Sequence, residues 1–168
     1  MPAKVSSFGT IALVRDISSG SVFILPTSEG TAIAMKIHGT QIHEARYIAW
    51  LSEPPNTHGK RFSAVDEAHF AGNKALIVDD AVFVLSAELS NISAWETQQQ
   101  PGTVIRTEKS NIIIFAQKEI RTTKSVDLAT GILTQQPDDS ILALAYSSWS
   151  LVRRYADEGG ANDNEASV

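Results

Sequence analysis

The stretch Thr31-Ala32-Ile33-Ala34-Met35-Lys36-Ile37 carries the clearest signal for the fold. Large apolar residues occupy every second position, and small residues and a lysine occupy the positions between them. Because successive side chains of a β-strand point to opposite faces, this period of two predicts a strand. Its two faces would hold Ile33, Met35 and Ile37 on one side, and Ala32, Ala34 and Lys36 on the other.

Two further apolar segments precede this strand, at 9–14 and 21–25, and short turn signals separate the three. The turns contain Gly20 and Gly30, and glycine tolerates the positive φ that tight hairpins need. Residues 9–37 are therefore predicted to form a three-stranded meander. The same kind of pattern predicts later strands at 46–51, 61–65, 75–78, 81–85, 103–107, 111–116, 125–128 and 132–133. Short turns predict hairpins between 103–107 and 111–116 and between 125–128 and 132–133, while 75–78 and 81–85 are predicted to form either a hairpin or one long bulged strand.

Two turn segments have similar sequences, Asp16-Ile17-Ser18-Ser19-Gly20 and Asp127-Leu128-Ala129-Thr130-Gly131. Hairpins draw on the same few turn residues, which explains the similarity without a duplicated unit. A positive φ is predicted at both glycines. Asp79-Asp80, between two apolar segments, is predicted to be a turn rather than a carboxylate pair, because adjacent strand residues would point to opposite faces.

A C-terminal amphipathic helix is predicted from about Asp139 to Ala156. Proline and acidic residues at 137–139 are typical of a helix start, and two glycines at 159–160 would end it. Apolar residues then follow a period of 3.6, and further apolar residues widen this face beyond one stripe. The periodic residues are Ile141, Leu142, Ala145, Trp149, Val152 and Tyr155, and the widening residues are Leu144, Tyr146 and Leu151. The second face must meet a second sheet layer, a loop such as 86–102, or another subunit. The last of these predicts a homo-oligomer contact, with candidate interface residues Leu142, Tyr146 and Trp149.

The length and charge of the chain limit its organisation and its partners. The 168 residues predict a single β-rich domain over 1–157, with a sub-boundary near 87–102, and a disordered acidic tail over 158–168. The chain lacks cysteine, which excludes disulfides, thiolate metal sites and cysteine nucleophiles. A net charge of -5 makes nucleic acid an unlikely partner. The N-terminus has no apolar leader and no segment is apolar enough to span a membrane, so a cytoplasmic setting is expected.

Candidate metal ligands lie in the predicted loops and strand ends. Imidazole and carboxylate groups are ligands for zinc, manganese or iron. The candidates are His38, His43, His58, Asp66 and His69. Their spacing matches no standard ligand motif, so a metal-dependent enzyme is an alternative rather than the leading hypothesis, and no cofactor is expected.

The segment Val14-Arg15-Asp16-Ile17-Ser18-Ser19-Gly20 resembles the Asp/Asn-x-Ser-x-x-Gly motif of PilZ domains, which are β-barrels that bind cyclic di-GMP. The resemblance extends over about residues 9–65, with a similar rhythm through Gly30-Thr31 and Gly59-Lys60-Arg61-Phe62. The motif is one residue short before Gly20, and only Lys4 precedes Arg15 where that family has paired arginines. The resemblance implies a degenerate PilZ-like barrel that lacks the phosphate-clamping arginines, whereas an ordinary hairpin explains the same residues.

The predicted fold class is mainly β (α+β), an antiparallel β-meander or barrel-like sheet with one C-terminal helix. No nucleophile elbow and no glycine-rich phosphate loop is found in the sequence. We therefore expect a non-catalytic module that binds a small molecule or a protein, or that serves in assembly. The metal-dependent enzyme and the degenerate PilZ-like domain are the alternatives.

Overall fold

A computed structural model of the chain describes residues 9–39, 45–54, 59–94, 100–117, 122–137 and 142–153. Short 3-10 turns at Val14–Asp16, Glu67–His69 and Leu89–Asn91 link some of the strands. The strands are β1 (Gly9–Leu13), β2 (Val22–Thr27), β3 (Gly30–His38), β4 (Arg46–Trp50), β5 (Ser63–Asp66), β6 (Lys74–Val78), β7 (Ala81–Leu85), β8 (Ile92–Ala94), β9 (Val104–Arg106), β10 (Asn111–Gln117), β11 (Thr123–Asp127), β12 (Leu133–Thr134), β13 (Leu144–Tyr146) and β14 (Trp149–Arg153).

Twelve of these strands form one large mixed sheet, and β7 pairs with β14 in a separate two-stranded sheet. The large sheet runs in the order β1-β6-β2-β3-β4-β5-β10-β9-β13-β8, with β11 on β10 and β12 on β11. The neighbouring strands are antiparallel except β5 and β10, which are parallel. The prediction of a mainly β protein is confirmed.

The predicted meander is correct for β2 and β3 and wrong for β1. β2 and β3 form a hairpin around Ser28 and Glu29, whereas β6 lies between β1 and β2. The backbone N–H of Val14, just after β1, donates to the carbonyl of Asn73 at 2.9 Å, next to the start of β6. Alternation identifies a strand but not its partner, so a distant segment could pair with β1 in place of β2.

Strand β3 has a buried core on each of its faces. Ala32 and Ala34 contribute to the first core, which contains the large rings of Phe23, Trp50 and Phe70. Met35 and Ile37 belong to the second core, on the opposite face. That second core also contains Val22, Ala49, Leu51, Ala64, Val104, Ile113, Phe115 and Val126. The two faces predicted for this strand are confirmed, and both are buried because β3 lies in the middle of the large sheet.

The predicted C-terminal helix is wrong. Within residues 142–153 the chain forms β13, which pairs with β8 and β9, and β14, which pairs with β7. Leu151 packs on the second core while Val152 is exposed, which is the alternation of a strand. The spacing of apolar residues suits a helix locally, but pairing with three distant strands satisfies the backbone, buries Ala145 and packs Tyr146, Trp149 and Leu151 on the second core. The ends predicted for the helix, at 139–141 and 154–156, and the acidic tail over 158–168 lie outside the described residues.

The Asp79-Asp80 turn passes the chain from one sheet to the other. Asp80 has a φ of 57°, which is the left-handed conformation that aspartate tolerates in turns. The turn prediction is therefore confirmed, but β6 and β7 do not pair with each other across it. The turn places β7 over the second core, beside the large sheet.

Candidate functional site

The structure describes three of the five candidate metal ligands. His38 lies at the end of β3, Asp66 ends β5, and His69 lies in the 3-10 turn that follows. The Asp66 carboxylate accepts the backbone N–H of Ala68 at 2.8 Å and so caps that turn. Within the described ranges, no three histidine or carboxylate side chains are grouped as a metal site would require. His43 and His58 lie outside these ranges, so the metal hypothesis stays a prediction.

A buried ion pair that the sequence analysis missed lies close to His38. The Lys36 ammonium is 2.5 Å from the Glu67 carboxylate and donates to the carbonyl of Val14 at 2.9 Å. The exposed fractions of the two charged side chains are 0% and 6%. The contact is a close ion pair rather than a well-aligned hydrogen bond, since the carboxylate oxygen has no partner of hydrogen-bonding geometry. The sequence did contain a signal for this pair, because Lys36 lies on the face of β3 that otherwise carries alanines.

His38 shares the face of β3 that carries Lys36, and it lies opposite Arg46 of β4. Burial lowers the pKa of His38, the positive charges of Lys36 and Arg46 lower it further, and Glu67 partly opposes them. Its Nε2 is buried, and it has no hydrogen-bond partner among the residues that the structure describes. The cluster therefore favours a neutral imidazole beside a paired lysine and glutamate.

The two similar turn segments meet on either side of the end of β3. The N–H of Gly20 donates to the carbonyl of Lys36, and the N–H of His38 donates to the carbonyl of Gly131, both at 3.0 Å. The hydroxyl of Ser19 reaches the carbonyl of Thr130 at 2.8 Å. Gly20 and Gly131 have φ of 82° and 68°, so the positive φ predicted at both is confirmed. The two turns hold the backbone at Lys36 and His38, which gives this cluster a structural role.

The inner face of the two-stranded sheet packs on the second core through an aromatic group. The ring of Trp149 lies 5.0 Å from that of Phe83 and 5.6 Å from that of Phe62. Its indole N–H donates to the carbonyl of Gly102 at 2.7 Å. Trp149 therefore makes its contacts within the chain, and the helix that predicted it as an interface residue does not form.

The other two interface candidates differ in exposure: Tyr146 is half-buried and Leu142 is 80% exposed. The oligomeric state stays a prediction.

The pairing of β7 with β14 decides which backbone groups of β7 face outward. The N–H of Ser86 donates to the carbonyl of Ser148 at 3.0 Å, so these residues form a hydrogen-bonded pair that extends the ladder. In an antiparallel ladder such pairs alternate with non-hydrogen-bonded pairs. The N–H and C=O groups of Ala81, Phe83 and Leu85 therefore point away from β14. Within the described part of the chain, no strand pairs with that edge.

A groove of about 560 Å³ follows this open edge of β7. Its apolar lining comes from both sheets, and its one charged lining group is the guanidinium of Arg106. Arg106 is exposed, and no described residue forms an ion pair or hydrogen bond with its side chain. The lining residues are Ala81, Val82, Phe83, Leu85, Val104, Arg106, Asn111, Leu128 and Ala129.

No protein-family model, no curated protein and no solved structure shows significant similarity to this chain. The similarity to the PilZ motif therefore stays a hypothesis that calorimetry with cyclic di-GMP would test. No helix within the described ranges has the length and apolar character needed to cross a membrane.

Proposed function

We propose that this protein is a non-catalytic binding module that takes up an extended segment of a partner protein along β7. The observation that carries this proposal is an edge of β7 that no described strand covers, beside an apolar groove. An added strand would supply partners for the outward N–H and C=O groups, and its side chains would fill the groove. This is the known strand-addition mode of peptide recognition.

The composition of β7 supports the same function. Exposed sheet edges are commonly protected by charges, prolines, bulges or short length, because an open edge recruits other chains. β7 reads Ala-Val-Phe-Val-Leu and contains neither a charge nor a proline. Among the edge strands of the large sheet, β8 and β12 are only three and two residues long, whereas β1 is a five-residue edge, Gly-Thr-Ile-Ala-Leu, that also lacks charge and proline. The apolar groove beside β7 is therefore what favours β7 over β1. An unprotected apolar edge is a liability unless a partner covers it.

The expected contacts are of two kinds. Each backbone hydrogen bond contributes about 0.5–1.5 kcal/mol net, and alternate residues of β7 offer such groups. Burial of apolar side chains in the groove adds roughly 25 cal/mol for each Å² removed from water. The backbone contacts are independent of sequence, so specificity must come from the side chains that enter the groove.

The experiment selects peptides from a displayed random ten-residue library on the full chain and measures binding of the selected peptides by calorimetry. Two versions of the peptide, methylated on alternate sets of backbone amides, should behave differently. The version methylated on the amides that face β7 should not bind, and the other should bind normally, because only every second amide of an added strand faces β7. Intrinsic tryptophan fluorescence is a second readout, since one of the three tryptophans, Trp149, has its ring beside that of Phe83. A library that yields no binder, or binders insensitive to methylation, would overturn the proposal.

A variant that fills the groove tests the location. Ala129 is an exposed turn residue at the groove, so Ala129→Trp should block binding without unfolding the protein. Ile11→Glu is the matched control, because Ile11 is 71% exposed on β1, at the end of the large sheet. Equal loss of binding in both variants would contradict the site. Sedimentation equilibrium of the protein alone adds a further check: a dimer that Ala129→Trp dissociates would show that a second copy occupies the edge, and would overturn a partner of another kind.

A further inference from the structure

We infer that the segment bound along β7 carries an acidic side chain, and that Arg106 and Asn111 bind its carboxylate. The inference rests on the proposed function, and it names the chemistry that gives the groove specificity. Arg106 and Asn111 lie opposite each other in the β9–β10 hairpin. Directly opposed residues of an antiparallel pair have Cβ atoms about 5 Å apart on the same face, so one carboxylate can reach both side chains.

The two donors at this position are available. Arg106 forms no ion pair with any described residue, and no described residue forms a hydrogen bond with the side-chain amide of Asn111. A guanidinium presents its N–H groups in a planar fork that matches a carboxylate, and the amide of Asn111 adds a further donor. Lone exposed arginines are common, but this one lines a groove whose remaining lining residues carry no charge.

The strand that carries Arg106 presents one side chain to the groove at this position. Val104 and Arg106 are two residues apart on β9, so they share a face, but Val104 is fully buried in the second core whereas Arg106 is exposed. The charged side chain is therefore the one on this face of β9 that a bound segment can reach.

The carboxylate is assigned to a side chain rather than to a chain end. Arg106 lies on the wall formed by the large sheet, and β7 forms the facing side of the groove. A segment paired with β7 would direct alternate side chains at that wall, whereas its terminus would leave along the groove axis. Peptides with an amidated C-terminus should therefore keep the preference for Glu or Asp.

The test uses a peptide selected on the full chain and synthesised with Glu or Gln at the inward position, each with a free or an amidated C-terminus. Replacement of Glu by Gln should weaken binding to the wild-type protein about tenfold, and amidation should change it little. Arg106→Gln should remove the preference for Glu, and Arg106→Glu should prefer a Lys peptide. Arg15→Gln is the matched control, because Arg15 pairs with its neighbour Asp16 at the surface.

The outcomes separate this inference from the proposed function. Peptides that require the open edge of β7 but bind equally well with Glu and Gln would overturn the acidic specificity and leave strand addition standing. A preference that depends on the free C-terminus alone would assign the carboxylate to the chain end and overturn the side-chain assignment. Failure of every peptide to bind would overturn both.

Discussion

At the scale of single residues, the junction of the two turns makes the sharpest prediction. A Cβ added to Gly131 would lie 2.0 Å from the backbone N of Gly20, at a φ of +68°. Gly131→Val should therefore lower the free energy of unfolding by about 3 kcal/mol or more, since strain and a backbone clash add. Gly20→Ala should cost less, because its nearest contact would be 3.1 Å. Gly72→Ala, which meets nothing within 4 Å, is the control in urea denaturation. Equal stability of all three variants would contradict the packing of the turns.

His38 predicts a pH dependence of stability. Burial and the charges of Lys36 and Arg46 lower the pKa of its imidazole in the folded protein, so the unfolded chain binds the proton more tightly. The stability that neutral His38 contributes is complete above about pH 6.5, the pKa of histidine in the unfolded chain. It is lost as the pH falls through the lower pKa that His38 has in the folded protein. Urea unfolding at pH 7.5 and 5.0 should show a larger loss in the wild type than in His38→Gln. An equal loss in both proteins would show that His38 is not the group responsible.

At the scale of elements, adjacent residues of β14 distinguish the observed strand from the helix predicted from the sequence. Leu151 faces the second core and Val152 is 42% exposed. Leu151→Thr should lower the free energy of unfolding by about 2 kcal/mol, whereas Val152→Thr should change it by less than about 0.5 kcal/mol. Chemical denaturation of the two variants measures both effects. A costlier change at Val152 would favour the helical arrangement, in which Val152 lies on the apolar face.

The elements that the sequence predicts well are those closed by local turns. The sequence predicts the β2–β3, β9–β10 and β11–β12 hairpins, because each joins two apolar segments through a short polar turn. In each turn, side-chain oxygens accept backbone N–H groups of neighbouring residues. In the last of these turns Asp127 accepts the backbone N–H groups of Ala129 and Thr130, both at 3.0 Å. Contacts of this kind depend on residues close in sequence, so composition and spacing are sufficient to locate them.

At the scale of the whole molecule, the acidic end of the chain is predicted to be dispensable for stability. Residues 159–168 lie outside the described residues, so the prediction rests on sequence: the segment contains no apolar residue larger than its terminal Val168. A chain ending at Glu158 should have the same melting temperature as the full chain within about two degrees, because the loss of polar residues removes no core. A larger decrease in calorimetry would show that the segment is docked on the domain.

The sequence by itself determined that the protein is mainly β, where most strands lie, which residues of β3 share a face, and that Gly20 and Gly131 have positive φ. These features depend on side-chain alternation and on turn residues, which act over a few positions. Tertiary structure decided the rest. It placed β6 between β1 and β2, formed β13 and β14 in place of a helix, brought Lys36 to Glu67, and left one edge of β7 unpaired by any described strand. Each of these depends on backbone pairing or on charges brought together from segments far apart in sequence, and no local pattern encodes the partner.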